Sequence, residues 1–257
     1  MGLGVNDMAD RSKIEWTQAT WNPVTGCTKV SEGCRHCYAE RLAFRLQRMG
    51  NPKYHHGFDV TLHPDSLRVP AGWTTPRTIF VNSMSDLFHE DVPFKFIEDV
   101  VQTMRSTPQH CYQVLTKRAD RLLEVSRRIQ WPDNVWIGVS VESRSVTYRV
   151  EALRQVKAAV RFVSFEPLLG DLPDLNLDGV DWAIVGGESG PGARTMSADW
   201  VRRIRDECTR TGTAFFFKQW GGIRKNAAGR ILDGETWDQM PEKGRCRLTT
   251  LRPSLSS

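Results

Sequence analysis

Arg77-Thr78-Ile79-Phe80-Val81-Asn82 is a β-branched and aromatic run that stops on a polar side chain, the pattern of a buried strand. The pattern returns in Tyr112-Gln113-Val114-Leu115-Thr116, Val135-Trp136-Ile137-Gly138-Val139, Val160-Arg161-Phe162-Val163-Ser164-Phe165, Trp182-Ala183-Ile184-Val185 and Ala214-Phe215-Phe216-Phe217. Helical periods separate most of these runs. One begins at Asp91, has Pro93 in its first turn and carries Phe96, Ile97, Val100, Val101 and Met104. The next carry Leu122, Leu123 and Ile129, then Val146, Val150 and Leu153. The last has Ser197 as N-cap and Val201, Ile204 and Cys208 on one face. The Pro/Asp-rich stretch between Phe165 and Trp182 leaves little room for a helix. Apolar strands alternating with helices predict an α/β fold with a parallel sheet covered by helices.

A barrel and an open doubly wound sheet both satisfy that alternation. The strand ends favour the barrel: Asn82 and Asp86, Thr116, Lys117 and Arg118, Ser140 and Glu142, Glu166, Glu188, and Lys218 and Gln219 are polar or charged. In a parallel barrel such side chains converge on one mouth, where catalysis sits. Any one of them alone reads equally well as a helix cap or a surface group. Lys117, Glu166 and Lys218 are the charged candidates for binding an anionic substrate or moving protons.

Upstream lies Gly26-Cys27-Thr28-Lys29-Val30-Ser31-Glu32-Gly33-Cys34-Arg35-His36-Cys37-Tyr38-Ala39-Glu40. It holds three of the six cysteines at C-x6-C-x2-C spacing and runs into a helix. Tyr38, Leu42, Leu46 and Met49 mark one face of that helix, and Gly50-Asn51-Pro52 ends it. Residues 51–76 lack periodicity and read as an inserted loop, and residues 1–11 as a disordered leader. Apolar residues are 40% and charged residues 25% of the 257, with no apolar run long enough for a membrane span and no signal-peptide core. This places the chain in the cytoplasm, where thiols stay reduced and a cysteine cluster means metal or catalysis rather than disulfides. Cys111, Cys208 and Cys246 are scattered and read as ordinary thiols, and most of the nine Trp as packing. The net charge of +5 is concentrated in residues 221–257, with seven Lys/Arg against four Asp/Glu; a solvated tail and a phosphate-contacting segment both fit.

Three thiolates leave one iron of a [4Fe–4S] cluster open for a non-protein ligand. Gly26 and Gly33 each precede a cysteine and would let backbone N–H groups approach sulfur. Two other readings stay open: a zinc site with His36 or another residue as fourth ligand, and thiols without metal.

The three-cysteine loop followed by βα units resembles the radical S-adenosylmethionine superfamily, which uses a partial (βα)6 barrel. Ile14-Glu15-Trp16-Thr17, Trp21-Asn22-Pro23-Val24-Thr25-Gly26-Cys27, Cys34-Arg35-His36-Cys37-Tyr38-Ala39-Glu40, Val185-Gly186-Gly187-Glu188-Ser189-Gly190 and Phe217-Lys218-Gln219-Trp220-Gly221 resemble a bacteriophage and bacterial family of three-cysteine-motif proteins near that superfamily. The resemblance implies a barrel over residues 12–220 and a basic extension over 221–257 with a disordered end. It implies a [4Fe–4S] cluster on Cys27, Cys34 and Cys37, whose open iron chelates S-adenosylmethionine, and an electron donor such as a flavodoxin or ferredoxin. It places His36 near the adenine and Ser140 and Glu142 on the ribose, with Gly186 and Gly187 allowing close backbone approach. The superfamily's Gly-Gly-Glu normally ends the second strand. Here Gly186-Gly187-Glu188 follows the sixth, so Asn82, Ser83 or Asp86 takes the methionyl contact. The spacing also departs from the common C-x3-C-x2-C. A radical enzyme on a nucleotide or nucleic acid is the leading expectation. A nucleic-acid-binding protein with a structural zinc or iron–sulfur site, and a conventional barrel hydrolase or lyase, are its rivals.

Overall fold

Strands β1 (Ala19–Trp21), β2 (Thr78–Val81), β3 (Cys111–Thr116), β4 (Val135–Ser140), β5 (Val160–Phe165), β6 (Trp182–Gly186) and β7 (Ala214–Gln219) form one sheet in the computed structural model, which describes residues 14–224 and 228–242. They lie side by side in chain order, and each neighbouring pair is parallel. A doubly wound sheet reverses its order at a switch point. This one does not, so it curls in one sense into a half-barrel, as the strand ends predict.

Helices α1 (Tyr38–Arg48), α2 (Phe94–Ser106), α3 (Ala119–Ser126), α4 (Tyr148–Arg154) and α5 (Ala198–Thr211) connect the strands, and only a loop joins β5 to β6. The strands are buried on both faces because alternate side chains serve two cores. On β6, Ala183 and Val185 join the helices in the outer core, while Trp182 and Ile184 point inward. The inner core also takes Trp16, Phe80, Cys111, Trp136, Phe162 and Phe216. Trp182 is its hub, with the rings of Trp16, Trp136, Phe162 and Phe216 centred 5.8–6.0 Å away. The floor of the half-barrel is therefore aromatic and its rim polar. Cys111 and Cys208 are buried, as their apolar surroundings predict.

Three details depart from the sequence reading. Helix α1 buries Ala39, Ala43 and Leu46, leaving Tyr38, Leu42 and Met49 exposed at 53%, 39% and 68%. Alanine lets the helix sit close to Met84 and Tyr54, a signal that counting large apolar residues misses. Helix α2 starts at Phe94 with Pro93 as its cap, three residues beyond the expected Asp91 start. The 51–76 insertion is ordered by 3-10 turns at Pro52–Tyr54, Pro64–Arg68 and Pro70–Gly72, and Thr61–Leu62 pairs antiparallel with Val24–Thr25.

After β7 the described chain turns through a small hairpin of Ile231–Leu232 and Glu235–Thr236. It then runs antiparallel to the free edge of β7: Phe217 N donates to Trp237 O, Gln239 N to Phe215 O, and Asp238 bridges Phe216. Trp182 Nε1 donates to Gln239 O at 2.9 Å, so this segment also closes the floor. The expected disordered end, from residue 243 on, lies outside the described residues, as do residues 1–11 and Cys246. No helix among the described residues is long and apolar enough to cross a membrane. Replacing Trp182 by Ala is expected to cost about 3–5 kcal/mol, read as a lower urea midpoint at unchanged slope.

Candidate functional site

The cysteine loop enters the mouth at Gly26, whose backbone φ is +83° and whose Cβ, were there one, would fall 2.1 Å from Asp59 O. Only glycine fits there. Gly26 N donates to Met84 O and Cys27 N to Phe58 O, so the insertion and the end of β2 grip the loop's first turn. The N–H groups of Gly26, Cys27 and Gly33 thus bond Met84 O, Phe58 O and the Glu142 carboxylate. Cys34 closes a 3-10 turn over Glu32–Cys34, and Cys37 caps α1.

Three carboxylates from the strand ends hold this loop, each paired with an arginine. After β2, Asp86 accepts from Thr116 Oγ1 at 2.7 Å, Lys117 N at 3.1 Å and Phe88 N at 3.0 Å, and pairs with Arg118 at 3.4 Å. Arg118 in turn donates to Cys27 Sγ at 3.4 Å and Thr28 Oγ1 at 2.8 Å, with Nε on Glu90 at 3.0 Å. His89 Nε2 meets the same Thr28 hydroxyl at 2.8 Å. Beyond β4, Glu142 is sealed from solvent, pairs with buried Arg149 at 3.0 Å and accepts from Gly33 N at 3.4 Å. Beyond β6, Glu188 takes Arg194 Nη2 at 2.6 Å, Arg194 N at 2.9 Å and His36 Nδ1 at 3.1 Å, and Arg194 reaches on to Glu32 O. Burial opposes its charge, yet the Arg194 donors and His36 hold the Glu188 carboxyl down to about 2.

The expected site residues divide by what they touch. His36, Asp86, Glu142 and Glu188 belong to the anchors of the loop. Asn82 adopts φ +58°, which Asn tolerates better than most residues; its Oδ1 accepts from Val24 N while its buried Nδ2 has no partner. Ser83 donates its hydroxyl to Asn22 Oδ1, and its carbonyl accepts from Tyr38. Ser140 is buried below Glu142 and gives its carbonyl to Arg149. Gly186 lies beside the Glu166 side chain, and at Gly187 a Cβ would strike Trp220 O at 2.0 Å. Lys218 Nζ bonds both Glu166 oxygens at 2.8 and 2.9 Å, and Gln219 links Glu166 to Ser189. The Lys117 ammonium has no carboxylate partner among the described residues, although its backbone N donates to Asp86.

The three loop cysteines are unpaired and half-buried. Among the described residues no group of three His, Cys, Asp or Glu is gathered around one point. The donor chemistry nevertheless suits a thiophilic metal group, with three soft ligands in one loop. Burial, then Asp86, pushes the Cys27 thiol up to about 11 against the pull of Arg118. A bound metal cation would offset that burial and favour the thiolate.

Arg149 and Arg194 escaped the sequence reading. Arg149 sits inside an apolar helical period, next to Val150, and Arg194 lies in a Gly/Pro-rich loop. Arginine inside an apolar period is itself the signal of a buried partner. Truncating Arg149 to Ala strands a buried carboxylate and is expected to cost about 3–5 kcal/mol in chemical denaturation. Because Glu188 falls below its ordinary 4.5, its stabilisation is complete above pH 4.5 and is lost as pH falls through about 2. The stability gap between the parent and E188Q is therefore expected to be full at pH 6 and to close towards pH 2.

The chain belongs to the DUF5131 family, described as proteins of unknown function, whose model matches residues 11–241. No curated protein matches it. Solved structures of spore photoproduct lyase are similar at low identity. A variant with bound AdoMet and dinucleoside spore photoproduct aligns at TM-score 0.44 and 13% identity, over 79% of this chain and 64% of that one. A second variant gives 0.46 and 15%, over 82% and 66%. The complex with dinucleoside spore photoproduct gives 0.42 and 13%, over 80% and 65%. The chain thus spans less than two-thirds of the length of these structures.

Proposed function

We propose that the chain is an iron–sulfur, S-adenosylmethionine-dependent radical enzyme acting on a nucleotide or nucleic acid. One observation carries this reading: three unpaired thiols sit on a single loop, anchored by three carboxylates to the polar mouth of a parallel half-barrel. When bound, the cluster and S-adenosylmethionine supply one-electron cleavage of the sulfonium to methionine and a 5′-deoxyadenosyl radical that takes hydrogen from substrate.

The residues of the chain bind, orient and shield. Cys27, Cys34 and Cys37 would hold the cluster, with Arg118 offsetting negative charge beside Cys27. The unpartnered Asn82 Nδ2, with Ser83, is offered to the methionyl end of S-adenosylmethionine. Ser140, Gly186 and Gly187 line its nucleoside side. Asp86, Glu142, Glu188 and His36 act as positioning residues, because their hydrogen bonds go to the loop or to its arginines. The Glu166–Lys218 pair and Lys117 face the substrate, where an ammonium suits an anionic group. In this reading residues 12–220 carry the chemistry, 221–257 extend it, and a flavodoxin- or ferredoxin-class protein in the cytoplasm donates the electron.

Anaerobically purified protein is expected to be brown, to contain iron and sulfide, and to form 5′-deoxyadenosine with dithionite and S-adenosylmethionine. Replacing any of the three loop cysteines by Ala should abolish both the colour and the product. A colourless, zinc-loaded protein, or a fully loaded one that forms no 5′-deoxyadenosine, overturns the proposal.

A further inference from the structure

Helix α1 leaves the cysteine loop with an unusual outer face. Tyr38, Arg41, Leu42, Arg45, Arg48 and Met49 follow one another at i, i+3, i+4, i+7, i+10 and i+11, so they share one stripe, and all six are exposed. The stripe mixes apolar surface with guanidinium groups. On α5 the arginines are neutralised: Arg202, Arg203, Arg205 and Arg210 each pair with an aspartate or glutamate within 3.2 Å. On α1, Arg41, Arg45 and Arg48 have no carboxylate partner among the described residues. The one acidic residue of the helix, Glu40, is taken by Lys29 at 3.0 Å. Unpaired arginines interleaved with apolar groups are what a phosphate backbone with accessible bases requires.

The stripe is also continuous with the mouth. The Tyr38 hydroxyl donates to Ser83 O, and Arg41 Nη2 to Ser189 O at 3.4 Å. Both acceptors flank residues assigned above to cofactor and substrate. We propose that this face of α1 is the docking track for a single-stranded nucleic acid, which it feeds nucleotide by nucleotide into the mouth. The proposal rests on the radical-enzyme reading for the chemistry at the mouth, but the track itself is a binding surface. Eleven helical steps span about 16 Å, enough for about five nucleotides at the stacked repeat of one strand. A duplex offers the stripe phosphates but hides its bases from Tyr38, Leu42 and Met49, so a single strand fits better.

The test is fluorescence anisotropy of the full chain with labelled 12-nucleotide single-stranded DNA and RNA at several salt concentrations. R45Q/R48Q is compared with R202Q/R210Q, which removes equal charge from α5. The α1 pair is expected to weaken binding about tenfold or more and to reduce the salt slope by about 1.4, at about 0.7 per lost phosphate contact. The α5 pair is expected to bind like the parent. Melting curves establish that both variants fold, since these side chains are exposed. Equal weakening by the two pairs, an unaffected α1 variant, tighter binding of duplex, equal binding of poly-glutamate, or no binding by the parent each overturns the track. Formation of 5′-deoxyadenosine without oligonucleotide is scored separately. Its loss with binding intact would sink the radical reading and leave the track standing, whereas the reverse result would do the opposite.

Discussion

Three carboxylate–arginine pairs at the rim hold the mouth of the half-barrel together: Asp86 with Arg118, Glu142 with Arg149 and Glu188 with Arg194. They sit at the ends of β2, β4 and β6, around the curl of the sheet. Each reaches the same loop at a different point, near Cys27, Gly33 and His36. A loop of this length with a single 3-10 turn would otherwise sample many conformations at a cost of about 1–2 kcal/mol per residue fixed. The pairs spread that ordering over rigid strands, so the cysteines inherit the rigidity of the sheet. They also carry a penalty of their own, since a half-broken pair leaves a buried charge.

The fold was legible because its strands are apolar on both faces and end in polar residues, which is what a two-sided parallel sheet with a functional rim demands. The half-barrel, the absence of a helix between β5 and β6, the Ser197 cap and the burial of Cys111 and Cys208 all follow from local pattern. Other features depended on contacts distant in sequence. The α1 face was misread because Ala39 and Ala43 pack by being small. The order of the insertion comes from pairing of Thr61–Leu62 with Val24–Thr25, which no periodicity announces. At the site, polar strand-end residues could be named one by one. Their pairing could not, because Arg149 and Arg194 lie seven and six residues beyond Glu142 and Glu188, across loops whose course no local pattern fixes.

The layers of the half-barrel divide the labour. Below, Trp182 and its ring of aromatic neighbours exclude water and fix the curvature of the sheet. Above, the dielectric is mixed: buried pairs sit next to the half-buried Glu166–Lys218 pair and the exposed turn at Thr28, Lys29 and Val30. Rigid and adaptable parts therefore meet at the thiols.

The strip that runs along β7 has a consequence for synthesis. Gln239 supplies the carbonyl that satisfies the Trp182 indole, and Trp237 packs on Phe215. A nascent chain on the ribosome can form β1 to β7 well before these residues emerge. During that interval the edge of β7 is bare and the hub tryptophan lacks its partner, the kind of exposed strand that recruits other chains. Maturation of the half-barrel therefore waits on this strip, and messages cut short between β7 and it would yield chains prone to aggregate.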